Sequence, residues 1–328
     1  MYPRGMSRSE ELRVRAGDAN LAATLSLPDA PPPSDRRGRY PNALLLPSWL
    51  PRDRDGAYDQ TGHADWFAPG PMPPGLLARL ADALADRGVA SLRADPRGCG
   101  ASDGAWERVD LFTRIDDARD MLAAIRSDGR LDLRRSGIVG HGEGATIALA
   151  VAIGDPAVSA LTLVGAAARS WRATLRRAAA ARRRNGGDQQ HPIVAAIDRW
   201  SEDLIERAER REESFTVRLR GGVSVTIRLA AFEQSINTAP LALATMLHRS
   251  VSLVHGSEDS WSGPDESALL AASLASAGEA PQVRIVADAG HDLAEAGDVL
   301  IGELADDLAG RLLPRELPPV LLAIEEMG

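Results

Sequence analysis

A chain of 328 residues, 44% hydrophobic and 26% charged, is long enough for one large domain with an insertion and has the balance of a globular protein. Its net charge of −8, with no basic residues gathered on one expected face, argues against nucleic acid as a partner. The single cysteine, Cys99, rules out an internal disulfide, and no apolar run approaches the ~20 residues of a membrane span. The opening MYPRGMSRSEELRVR holds no apolar leader core, so the expectation is a soluble, cytoplasmic protein, a monomer or homodimer without a membrane partner. All 38 basic residues are arginine, a bias typical of GC-rich bacterial coding sequences.

In chain order, Glu11–Arg15 and Leu21–Leu27 read as two short antiparallel edge strands, followed by the linker Asp29-Ala30-Pro31-Pro32-Pro33. Ala43–Leu46 is an apolar strand running into Pro47-Ser48-Trp49. The long loop Pro51–Pro74 carries Tyr58, His63, Trp66 and Phe67, and loops of that length usually serve a function, so it is expected to wall a substrate pocket. Leu76, Leu77, Leu80 and Leu84 have helical spacing, with Gly88 as the stop. Asp95, Arg97, Cys99 and Ser102 lie in a D-x-R-G-x-G-x-S turn and are given scaffold roles. Leu111–Ile125 and Thr146–Ile153 read as helices, and Val158–Val164 as a buried parallel strand.

Residues 170–247 break this alternation. They hold an Arg-rich helix (Trp171–Arg184), a second charged helix (Ile193–Glu213), and a β-hairpin over Phe215–Leu229 around Gly221-Gly222. After them, the strand Val251–Val254 leads into His255-Gly256-Ser257-Glu258-Asp259-Ser260-Trp261. A last strand ends in Asp288-Ala289-Gly290-His291-Asp292. Strands alternating with helices imply a mostly parallel sheet covered on both faces.

The segment Val139-Gly140-His141-Gly142-Glu143-Gly144-Ala145 carries the chemistry. In a G-x-S-x-G elbow, a serine on a sharp strand-to-helix turn presents its hydroxyl at the top of the sheet. Here both outer glycines are present and the central residue is Gly142, which has no side chain to attack with. An acid, Asp259, and then a histidine, His291, follow in the triad order of such proteins. The same segment satisfies G-x-G-x-x-A, but no acid ends the next strand (Leu163-Val164-Gly165-Ala166), so dinucleotide binding is rejected. No His, Cys and carboxylate set has the sequence spacing of metal ligands, and no cofactor is expected.

These four ordered motifs resemble the α/β-hydrolase superfamily, within it the bacterial branch whose elbow usually reads G-H-S-E-G. The resemblance covers residues 40–170 and 250–312 and implies that fold, with a core of 1–169 and 248–328 and a cap at 170–247. It makes Asp259 the acid, His291 the base, Gly142 the nucleophile position, and the N–H groups of Trp49 and Glu143 the oxyanion donors. Ser48, His141, Tyr58, His63, Trp66, Phe67 and Trp261 are assigned to substrate binding. Ser48 is read as a small residue allowing close backbone approach, with a displaced nucleophile as the other possibility.

Three functions remain. The leading one is a non-covalent enzyme whose His–Asp base uses the room freed above Gly142 for C–C bond formation or cleavage, or for elimination. Its substrate would be a sizeable organic molecule, and the resemblance suggests natural-product tailoring. The others are a serine esterase inactivated by a Ser-to-Gly change at 142 and a ligand-binding protein without catalysis.

Overall fold

The computed structural model describes residues 8–29, 38–66, 75–184, 192–218 and 222–313. Phe67, the side chain of Trp66, the linker prolines Pro31–Pro33 and Gly221 lie outside what it describes. Its strands are β1 (Arg8–Ala16), β2 (Ala19–Leu27), β3 (Tyr40–Leu46), β4 (Ala90–Ala94), β5 (Leu131–His141), β6 (Val158–Val164), β7 (Ser214–Arg218), β8 (Ser224–Arg228), β9 (Ser250–Gly256) and β10 (Gln282–Val286). The helices are α1 (Leu76–Ala85), α2 (Leu111–Ser127), α3 (Glu143–Gly154), α4 (Trp171–Arg184), α5 (Pro192–Glu209), α6 (Leu229–Asn237), α7 (Pro240–Ala244), α8 (Asp265–Ser276) and α9 (Asp298–Leu312).

Eight strands form one sheet in the order β1-β2-β4-β3-β5-β6-β9-β10. β1 and β2 join it antiparallel, and the remaining pairings are parallel. The edge strand β1 alternates exposed and covered residues, whereas β6 is almost wholly buried, as strands covered on both faces must be. One apolar layer packs α2, α3 and α8 against the sheet, and a second packs α1 and α9 on its other face. This is the α/β architecture expected from the alternation of periods.

Between β6 and β9 lie α4, α5, the antiparallel β7–β8 hairpin, α6 and α7. The charged helix stops at Glu209 instead of continuing to Glu213, and Arg211 takes a positive φ of 56°. The segment docks through an aromatic cluster: Trp49 meets Trp171 at 4.0 Å and Phe232 at 5.5 Å between ring centroids. No described helix is long and apolar enough to cross a membrane.

Candidate active site

The site gathers at the carboxyl ends of β3, β5, β6, β9 and β10, where open parallel sheets bind their ligands. Gly142 links β5 to α3 with φ 55° and ψ −117°, a backbone region that strains any residue with a Cβ. Its N–H donates to the Val164 carbonyl at 2.9 Å, which ties the turn to β6. The loop after β3 crosses directly over the elbow. A Cβ on Gly144 would lie 2.5 Å from the Leu46 carbonyl oxygen, so only glycine permits that approach.

His291 and Asp259 meet across the β9 and β10 loops. Nδ1 of His291 lies 2.8 Å from Oδ2 of Asp259. The carboxylate also accepts from the Trp261 N–H (2.8 Å), the Ser262 N–H (3.0 Å) and the Ser262 hydroxyl (3.1 Å). His255 places Nε2 3.1 Å from the same Oδ2. Burial opposes the charge on Asp259, but the imidazoles of His291 and His255 outweigh it and hold its pKa well below the usual carboxylate range. Burial likewise opposes a charged His291, yet Asp259 outweighs it and the pKa of His291 is raised. With Nδ1 committed to Asp259, Nε2 is the atom left for chemistry.

Behind His291 stands a second histidine. The ring of His141 is fully buried 4.7 Å from that of His291, and its Nε2–H donates to the His291 carbonyl at 3.0 Å. That bond leaves Nδ1 as a lone pair without a partner, and burial pushes the pKa down to about 3. His141 is therefore a neutral spacer that fixes the His291 backbone. Arg52 donates to Asp292 at 2.8 Å and braces the residue next to His291.

A cavity of about 60 Å³ opens above Gly142. Ser48, Trp49, Glu143, Trp261 and His291 line it, joined by Trp171 and Thr238 from the segment between β6 and β9. That is room for a few waters or a small acyl group, less than a sizeable substrate needs while Trp171 stands against Trp49. The room expected beside the imidazole is taken by Ser48, whose hydroxyl lies 3.4 Å from His291 Nε2.

Two residues assigned to substrate binding sit elsewhere. Tyr58 packs its ring under the Arg52 guanidinium at 4.2 Å, and the His63 Nδ1–H donates to Asp59 at 2.8 Å beneath a separate surface opening. The described part of their loop is tied to α1, whose first N–H groups the Asp55 carbonyl accepts, and of this loop Arg52 lines the cavity. His141 is a support and not a wall. The sequence reading missed Arg52, Asp292, His255 and Ser262; the i,i+4 pair His255 and Asp259 was the one available signal.

Although no metal spacing shows in the sequence, the fold brings Asp59, His63 and Cys99 together, with ligand atoms within 4.8 Å of one another. The Asp59 oxygens already accept from the Thr61, Gly62 and Gly100 N–H groups and face His63. Burial pushes the Cys99 thiol up to about 12, so it stays protonated, while the donors around the buried Asp59 hold its carboxyl pKa low.

Comparison with known proteins agrees with this fold. The sequence pattern of the family described as serine aminopeptidase, S33, matches residues 74–295. No curated protein matches the sequence. Among solved structures, the chain is similar to Est1E from Butyrivibrio proteoclasticus with ferulic acid bound, at 15% identity and TM-score 0.62, covering 90% of this chain and 96% of that one. It is also similar to DcsB in complex with its substrate analogue, at 16% identity and TM-score 0.63, with 93% and 98% covered. The α/β-hydrolase GrgF from Penicillium sp. sh18 matches at 17% identity and TM-score 0.60, with 93% and 98% covered. At these identities the likeness is one of fold.

Proposed function

We propose, given that this chain belongs to the serine aminopeptidase (S33) family of the α/β-hydrolase superfamily, that it is an enzyme whose acid–base chemistry is run by His291 and Asp259. The observation that carries the reading is the 2.8 Å contact of His291 Nδ1 with Asp259, which leaves Nε2 facing the cavity beside Gly142. An imidazole oriented by a carboxylate removes a proton near neutral pH and returns it to a leaving group. In this reading the N–H of Glu143, at the positive end of α3, and that of Trp49 stabilise a developing oxyanion. The residues 170–247 act as a cap that closes the pocket, and no cofactor is needed. The substrate is an organic molecule with a carbonyl or acyl group, the feature on which a base and N–H donors act together.

Hydrolysis is the reaction class that we place first, because the family is hydrolytic and the space above Gly142 holds a hydroxyl. A non-covalent route on a carbon acid, with C–C bond formation or cleavage or with elimination, uses the same base and donors. The bare Gly142 favours that second reading. His291→Ala is expected to lower turnover by at least ~10³-fold and leave ligand binding within a few-fold. Turnover near that of the wild type would refute the general-base role.

A further inference from the structure

We infer that Ser48, on the loop after β3, is the nucleophile of this enzyme and stands in for the serine that the elbow lacks. This rests on the reading of His291 as general base and adds the group on which that base acts. The Ser48 hydroxyl oxygen lies 3.4 Å from Nε2 of His291, while Nδ1 of the same ring holds Asp259 at 2.8 Å. Nucleophile, base and orienting acid thus stand in a row. A nucleophile–base distance on the long side is usual before substrate binds.

The position of that oxygen is the second observation. A Cβ built on Gly142 would fall 2.1 Å from Ser48 Oγ and 3.0 Å from His291 Nε2. Ser48 therefore delivers its hydroxyl to the place where an elbow serine would deliver its own, from the opposite wall. The two serines exclude each other, which gives Gly142 a reason beyond its backbone angle. The third observation is access, since Ser48 lines the cavity together with Gly142 and Glu143. A residue needed only for close approach of the loop would be served as well by alanine or glycine. It would not require a hydroxyl within reach of the base.

The cavity of about 60 Å³ points to carboxylic esters with small acyl groups. Ser48 Oγ attacks the carbonyl carbon while its proton passes to His291 Nε2, and the oxyanion forms against the N-terminus of α3. The carbonyl re-forms as the ester C–O bond breaks, and the alcohol leaves with the proton from Nε2. Water then attacks the acyl–Ser48 ester and gives a proton to Nε2. The carboxylic acid departs, and that proton returns to Ser48. Water is the single co-reactant.

The test is active-site labelling of the full chain with a fluorophosphonate, followed by digestion and mass spectrometry, alongside hydrolysis of p-nitrophenyl acetate. One adduct on the peptide holding Ser48 is expected, absent from Ser48→Ala and His291→Ala. Ser48→Ala should lose at least ~10³-fold in hydrolysis. Labelling needs no variant, so a misfolded Ser48→Ala does not spoil the test. No adduct, an adduct on another serine, or hydrolysis by a folded Ser48→Ala within a few-fold of wild type would each overturn the inference. If Ser48→Ala retains activity and His291→Ala loses it, the general-base reading survives alone; if both retain it, both fall. The exchange pair Ser48→Gly with Gly142→Ser should move the adduct to position 142, and an adduct-free pair counts against the shared hydroxyl position.

Discussion

A serine at position 142 would meet two costs at once. Its backbone would hold φ near 55°, and its Cβ would press on Ser48 Oγ at 2.1 Å. Gly142→Ser is therefore expected to lose ~1–3 kcal/mol of stability from the strained backbone alone, with more from the clash. Adding Ser48→Gly removes the clash and leaves the strain, so the two changes should be non-additive, the pair losing less than Gly142→Ser. Denaturant unfolding of the two single variants and the double variant measures this coupling; simple additivity would mean that the residues do not compete for one space. The pH dependence belongs to the same few side chains. Burial disfavours a charged His291, but Asp259 raises its pKa above the ordinary ~6.5, and the base works only when neutral. The acidic limb of kcat/KM should therefore lie above ~6.5 and move down in Asp259→Asn along with a large loss of rate. A limb at or below ~6.5 in the wild type would show that another group limits the reaction.

At the scale of elements, the dyad depends on how closely the turn after β9 approaches the loop after β10. A Cβ on Gly256 would stand 2.1 Å from the Ala289 carbonyl oxygen and 2.5 Å from that of Gly290, backbone atoms that cannot swing aside. Gly256→Ala should therefore push the His291 loop away from Asp259, cost ~1–3 kcal/mol by overpacking and depress turnover. Gly154→Ala, where nothing lies within 4 Å of the added carbon, is the control and should leave both quantities near wild type. Equal effects from the two substitutions would remove the special place given to this approach. The same loops show what the sequence revealed. Val158–Val164 and Trp171–Arg184 were legible to the residue, because each carries its own period or apolar run. Asp259 and His291 were legible because each directly follows a strand. Arg52 and Asp292 were not, since 240 positions separate them and only the fold brings them together, whereas His255, four residues before Asp259, left a local signal. Ser48 was visible as a loop residue, but 243 positions separate it from the histidine it faces. Tyr58 and His63 looked like pocket walls because aromatic content in a loop says nothing of which partner each ring takes.

Across the whole molecule, two imidazoles 4.7 Å apart respond to pH in opposite senses. His141 is buried neutral with its pKa pushed down to about 3, so the unfolded chain binds its proton at a higher pH than the folded one. Its contribution to stability is present above the unfolded value of ~6.5 and is lost as pH falls below it. His291 is raised, so its contribution is full below ~6.5 and fades as pH climbs through the folded value. Asp259 is depressed, and its share is lost only as pH falls below the unfolded value of ~3.9. Between ~4 and ~6.5 the molecule therefore gains from the dyad and loses to the spacer behind it, while the base is progressively protonated and idle. His141→Gln keeps an N–H for the His291 carbonyl and removes the titration, so the opposing terms can be separated. The Tm of the wild type should fall more steeply than that of His141→Gln as pH drops from ~6.5 to ~4.5, with the two curves parallel above ~7.5. Parallel curves over the whole range would mean that His141 takes up its proton as readily in the folded chain as in the unfolded one, and the neutral spacer supporting His291 would have to be abandoned.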